Sequence, residues 1–242
     1  MRAVITFHGV DASGSVLSLA PETLRGLIAG VRAAGHAIVP LRELLASPTP
    51  DRVALTFDDG LASVAENALP MLSAEGVVAT LFLTTAHVGG HNDWAGQPSW
   101  APKLPMMRWA QAEALAAAGW EIQSHTMRHL DLRALRDDAL VAELRGARDE
   151  IERRIGRRPD QLAFPYGYYD ARVLAVAQRD HTACFTTELA ALDGRSASEL
   201  ARGIPRLDAY YLQPAWLQRR FGGAAFRGYL SARALARRLR AA

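Results

Sequence analysis

Cysteine, lysine and long apolar runs are what this 242-residue chain has least of. Its single cysteine, Cys184, sits in the apolar stretch Thr182-Ala183-Cys184-Phe185. It excludes an intrachain disulfide, agrees with a reducing compartment and is expected to be a core thiol. Lys103 is the only lysine, so arginine carries nearly all the positive charge. With 28 Lys+Arg against 25 Asp+Glu the net charge is only +3 and the charges are well mixed. This near balance gives no sign of a nucleic-acid partner. No stretch approaches the roughly 20 apolar residues of a membrane span. The opening segment, Met1 to His8, has too short an apolar run for a signal peptide and reads directly as a strand, so a cytoplasmic location is expected.

Half of the residues are hydrophobic, enough for one large core, and a single domain over 1–242 is expected, with a C-terminal helical extension from about 212. Short apolar runs alternate with stretches of helical period, which predicts an α/β fold with a mostly parallel sheet or barrel. Strands are expected to start at Ala3, Ala37, Val53, Val78, Glu121, Gln161, Thr182 and Gly203. Helices are expected over Pro21 to Ala34, Leu61 to Ala74, Trp109 to Ala118, Asp137 to Ile155 and Ala171 to Arg179.

The residues with chemistry fall where those strands end. Phe57-Asp58-Asp59-Gly60 closes the apolar run Val53 to Thr56 and places two adjacent carboxylates at the end of a buried strand. Such a pair repels, and burial raises the cost of ionising either acid, so a metal ion or a proton-transfer role is the natural compensation. His125 and His129, four residues apart, can face one point. One Asp with two His makes a three-ligand metal site with open positions, which is catalytic and not structural geometry. The other Asp, pointing the opposite way on an extended chain, is placed to take a proton. Either motif alone reads equally well as a helix cap or an exposed histidine pair; together they predict metal-assisted hydrolysis. The long irregular segment from His87 to Met107, carrying Trp94 and Trp100, is expected to cover this face, its aromatics either stacking on a sugar or lipid or anchoring the loop.

Thr56-Phe57-Asp58-Asp59-Gly60, His125 to His129 and Phe164-Pro165-Tyr166-Gly167, in that order and spacing, resemble the motifs of the polysaccharide deacetylases, carbohydrate esterase family 4 with its NodB homology domain. The bare Phe-Pro-Tyr-Gly form is similar to the poly-N-acetylglucosamine deacetylase branch. The resemblance runs roughly from Val4 to Asp208 and implies a distorted (β/α) barrel. It implies Asp58 as general base, Asp59, His125 and His129 as ligands of a divalent metal, zinc as the usual ion, and a backbone N–H of Tyr166, beside Pro165, toward the oxyanion. Two departures stand out. The family's third-motif arginine is replaced by Ala163, for which Arg206 at another strand end is the candidate substitute, and no histidine follows His181 to serve as the terminal general acid. His8, ending the first strand, is the best replacement. His36 and His181 look structural, and His87 and His91 are loop residues within reach of substrate.

The implied activity is removal of an N-acetyl group from an amino sugar in a glycan, glycolipid or sugar-linked precursor. The alternatives are hydrolysis of a small non-sugar amide and a catalytically silent glycan-binding module. Tyr210, Tyr211 and Trp216, followed by Arg219, Arg220, Phe221 and the basic run Arg233 to Arg240, suit either an anionic membrane surface or a terminal helix packed on the barrel with a solvated basic face.

Overall fold

The computed structural model describes residues 1–241, with side chains through Leu239. Along them run β1 (Ala3–Phe7), β2 (Gly9–Val10), β3 (Ser18–Leu19), α1 (Pro21–Ala33), β4 (Ala37–Ile38), α2 (Leu41–Ala46) and β5 (Arg52–Phe57). Next come α3 (Leu69–Ala74), β6 (Thr80–Leu83), α4 (Trp109–Ala117), β7 (Glu121–Ser124), α5 (Asp137–Ile155), β8 (Gln161–Ala163), α6 (Ala171–Ala177) and β9 (Ala183–Phe185). The chain ends with α7 (Ala197–Ala201), β10 (Leu207–Asp208), α8 (Ala215–Gln218) and α9 (Ala224–Ala241).

The main sheet has the order β10-β1-β5-β6-β7-β8-β9, with β4 beside β5, and every pairing is parallel. It curls into a distorted barrel. Residues 203–208 form the seam: Ile204 makes a single bridge to Phe185 of β9, while Leu207 and Asp208 pair with Ile5 and Thr6 of β1. The strand expected from Gly203 is therefore present but split.

Strand alternation divides the core. Val4, Ala54, Phe82, Ala163, Phe185 and Ile204 form one buried cluster on the inner face. Ile5, Leu55 and Leu81, one residue along their strands, join Leu27, Leu72 and Leu115 of the covering helices in another. Phe226 and Leu230 of α9 belong to that second cluster. The preceding α8 also packs closely on α1, where a Cβ on Gly30 would strike the Gln218 backbone. The basic run is thus carried by a helix seated on the barrel, with the Arg240 side chain outside the described residues.

The helix expected over Leu61 to Ala74 is interrupted. Val64–Ala68 is a π-helical turn, and α3 begins only after it. Pro70 has no N–H to give Glu66 and its ring crowds that carbonyl, so the preceding turn widens. Two of its side chains then reach β2, Ser63 accepting from Val10 N (3.2 Å) and Asn67 donating to Val10 O (2.7 Å). Strand β2 and its two-residue ladder with β3 have no counterpart in the hydrophobic pattern. Among the described residues no helix is long and apolar enough to cross a membrane.

His181 is buried, and its Nδ1–H donates to Ala177 O at 2.9 Å. Burial is the main reason its pKa falls to about 4. Between that value and the unfolded value near 6.5 the unfolded chain holds a proton that the native chain lacks. Stability is therefore lost as pH falls through this window, by roughly 3 kcal/mol at its lower end. In His181→Gln, urea titrations should show a shallower loss of unfolding free energy from pH 6.5 to 4; an unchanged slope would contradict this assignment.

Candidate active site

The carboxyl ends of the strands converge on one barrel face, as in barrel enzymes generally. His8 follows β1, Asp58 and Asp59 follow β5, His125 follows β7, Tyr166 follows β8, and Arg206 precedes β10. These turns are strained. Of five non-glycine residues with positive φ among the described residues, four lie here: Asp59 (70°), Thr126 (67°), His129 (57°) and Tyr166 (56°). Each costs on the order of 1 kcal/mol, so neighbouring contacts must hold them. Thr84 N donates to Asp59 O (3.0 Å), Ala86 N donates to Met127 O (2.9 Å), and His129 N donates to Thr126 Oγ1 (3.1 Å). Glu143, fully covered on α5, accepts from the backbone N of Arg128 and ion-pairs with its Nε (3.2 Å), between the two histidines.

Asp59, His125 and His129 are all buried, and one donor atom from each lies within 4.8 Å of the others. Asp59 Oδ1 is 3.3 Å from His125 Nε2 and 3.4 Å from His129 Nε2, yet it has no hydrogen-bond partner. The His125 Nδ1–H donates to Ala163 O at 2.8 Å, which in the neutral ring leaves a lone pair on Nε2 aimed at the carboxylate. Burial is the main cause that lowers the His129 pKa to about 3, so this ring is neutral too. One imidazole lone pair and a second imidazole nitrogen facing a single buried carboxylate oxygen suit a cation between them. Burial works against a charged His125, but the Asp59 and Asp58 carboxylates outweigh it and raise the His125 pKa. The set of one carboxylate and two imidazoles fits a divalent transition ion; zinc, copper, iron and nickel share these ligands, and the donors alone do not choose among them.

Asp58 has a different partner. Its Oδ1 and Oδ2 accept from Arg206 Nη1 and Nη2, both at 2.7 Å. Arg206 is 1% exposed, donates Nε to Thr186 O (3.2 Å), and lies over Phe82 and Phe185, 5.6 and 5.8 Å from the ring centroids. The sequence left open an ordinary surface ion pair; the seam instead buries this guanidinium on the barrel's inner aromatics. Burial pushes the Asp58 carboxyl up, but Arg206, with His125 and His8, outweighs it and holds the group below the usual carboxylate range.

A cavity of about 450 Å³ opens above these groups, and His8, Asp58, Asp59, His125, His129 and Arg206 all line it. Tyr166 and Trp94 form one wall: the Trp94 Nε1–H donates to the Tyr166 hydroxyl (3.0 Å), and their rings lie 4.2 Å (Trp94) and 4.5 Å (Tyr166) from that of His129. Trp94 is only 4% exposed, whereas Trp100, also on the cavity, is 70% exposed. Pro165 is buried at the start of the turn that gives Tyr166 its left-handed backbone. His87 packs edge-on against Trp94 and bonds to His91 O, and neither lines the cavity. Glu143 was not among the residues singled out from sequence, since a glutamate within an amphipathic helix reads as part of its solvated face.

A family model described as polysaccharide deacetylase matches residues 46–183. YxkH of Bacillus subtilis (strain 168), assigned by name to the polysaccharide deacetylases, is 21% identical over 182 residues, 73% of this chain and 60% of its own length. The chain spans 60% or less of the curated relatives it matches. Among solved structures, the Streptococcus pyogenes deacetylase PplD in complex with acetate superposes with a TM-score of 0.72 at 19% identity, over 85% of this chain and 91% of that one. IcaB from Ammonifex degensii gives 0.71 at 21% identity, over 90% and 96%. At these identities the likeness to the solved structures is one of fold.

Removing one member of the Asp58–Arg206 pair strands a buried charge. Arg206→Met should cost about 3–5 kcal/mol in urea unfolding, and the double variant Asp58→Asn/Arg206→Met clearly less than the sum of the single changes. Additive costs would show that the two groups are not coupled.

Proposed function

The chain belongs to the polysaccharide deacetylase family, whose model covers more than half of its 242 residues, and on that premise we propose that it is a metal-dependent hydrolase removing an N-acetyl group from an amino sugar of a glycan, glycolipid or sugar-linked precursor. One observation carries the reading: a buried, arginine-paired carboxylate, Asp58, stands next in sequence to a separate buried ligand set, Asp59, His125 and His129. A binding module has no need of a second carboxylate beside its ligands, which disfavours a silent domain. We propose one catalytic unit, C-terminal helices included, since Phe226 and Leu230 share a core with Ile5 and Leu27.

Asp59, His125 and His129 would hold the divalent ion, zinc in this proposal, which supplies Lewis acidity toward an amide carbonyl and toward water. Asp58 takes the proton of the attacking water. Arg206 keeps that carboxylate ionised and fixes its plane through two parallel hydrogen bonds, a geometry a lysine does not reproduce. The oxygen of water becomes bonded to the acetyl carbon, and in this reading the backbone N–H of Tyr166 donates to the charge that develops on the carbonyl oxygen. His8, on the cavity wall, gives its proton to the amine nitrogen as the carbon–nitrogen bond breaks. Acetate and a free amino sugar leave. Trp94 and Tyr166 shield His129 from water, and exposed Trp100 offers a sugar-stacking face.

Acetate release from N-acetylated amino-sugar oligomers by zinc-loaded protein tests the proposal. Asp58→Asn should lower turnover by at least a hundredfold. His8→Ala should lose most turnover while binding one zinc per chain as before. Full turnover by His8→Ala removes His8 from the mechanism, and equal turnover by Asp58→Asn removes the base.

A further inference from the structure

The catalytic cavity does not end at the barrel mouth. His8, Leu17 and Asp208 line both it and a narrow neck of about 20 Å³. Val16, Ser18, Tyr210 and Gln213 line both that neck and an outer cavity of about 600 Å³. Sharing these residues, the three lie in series from the acid pair outward, between the segment before α1 and the C-terminal helices.

Two arginines one turn apart on α9 border these cavities, Arg237 on the catalytic one and Arg233 on the outer one. Both guanidiniums lie over the Tyr211 ring, at 5.6 Å for Arg237 and 5.9 Å for Arg233. Arg233 also lies 5.3 Å from the Tyr229 ring and donates its Nε to the Tyr229 hydroxyl (3.2 Å). Neither forms an ion pair among the described residues, although the adjacent Arg238 lies 3.6 Å from Glu188. Two carboxylates also line these cavities, held by neutral donors and without an ion pair to either arginine among the described residues. Asp11 accepts from Ser13 N (2.9 Å) and Ser18 Oγ (2.7 Å), and Asp208 accepts from Tyr210 N (3.0 Å). Stacking on an aromatic face fixes a guanidinium while leaving its in-plane N–H groups open, the arrangement that takes an oxyanion through two bonds.

We propose that Arg233 and Arg237 bind a phosphate ester carried by the glycan or by its lipid carrier, while the acetamido group lies between Asp58 and His8. The assignment of the acetamido end rests on the deacetylase reading above; the anion site does not. A neutral polymer would bring neither guanidinium a counter-charge.

The experiment has two arms. Calorimetry with inorganic pyrophosphate on the EDTA-stripped protein tests the anion site without metal or turnover. Saturable binding that weakens at least tenfold in Arg233→Gln/Arg237→Gln is expected, with an unchanged thermal melt showing that the variant is folded. No binding, or equal binding by the variant, overturns the site. In the second arm, zinc-loaded protein is given an N-acetylglucosamine tetramer, its 1-phosphate, and the same tetramer on a polyprenyl diphosphate in detergent micelles. At least a tenfold lower KM for a phosphorylated form, lost in the double variant, supports the proposal, and whichever form has the lowest KM names the source. Equal KM for all three overturns the substrate role. Pyrophosphate binding without acetate release from any tetramer would uphold the anion site and count against the deacetylase reading.

Discussion

Two adjacent carboxylates are buried at the end of β5, and the rest of the site depends on each having its own cation. Neither acid is more than 3% exposed. In a medium of low polarity, two neighbouring anions without compensation would take up protons, and neither would serve as base or ligand. The chain solves this by direction. Asp58 faces the seam and the Arg206 guanidinium, whereas Asp59, turned by its left-handed backbone, faces the two imidazoles.

That division ties chemistry to barrel closure. Arg206 sits within residues 203–208, the segment that joins β9 to β1, and it rests on Phe82 and Phe185 of the inner core. The contacts that complete the barrel therefore also set the charge and plane of Asp58. On the opposite side, Glu143 and the carbonyl of Ala163 hold the loop and ring of the histidine motif. Ala163 occupies the position where an arginine was expected from the family pattern, yet it contributes through its backbone. The guanidinium that pairs with Asp58 comes from a residue 148 positions away in the chain.

Much of this was legible in the sequence because its signals are local. The Asp pair after an apolar run, the histidines at spacing four and the strand-end positions of His8, Tyr166 and Arg206 all follow from short-range pattern. The fold class followed from the alternation of strand and helix periods. What stayed hidden depends on contacts distant in sequence. Trp94 and Trp100 look equivalent on one loop, and only the hydrogen bond from Trp94 to Tyr166 makes one a buried wall and leaves the other open. Glu143 could be read as a solvated helix position until the histidine loop lies on it. Pro70 was visible, but its outcome, a widened turn that sends Ser63 and Asn67 to β2, depends on a strand of two residues. Arginine abundance carried no message by itself; position alone separates Arg206 in the seam and Arg237 on the cavity from those paired along helix surfaces.

The central claim is the division of labour between Asp58 and Asp59, and zinc calorimetry on three proteins tests it most directly. The account predicts one zinc per chain for the wild type, the same stoichiometry with affinity within about tenfold for Asp58→Asn, and loss of the site in Asp59→Asn. Zinc retained by Asp59→Asn, or lost by a folded Asp58→Asn, would contradict it.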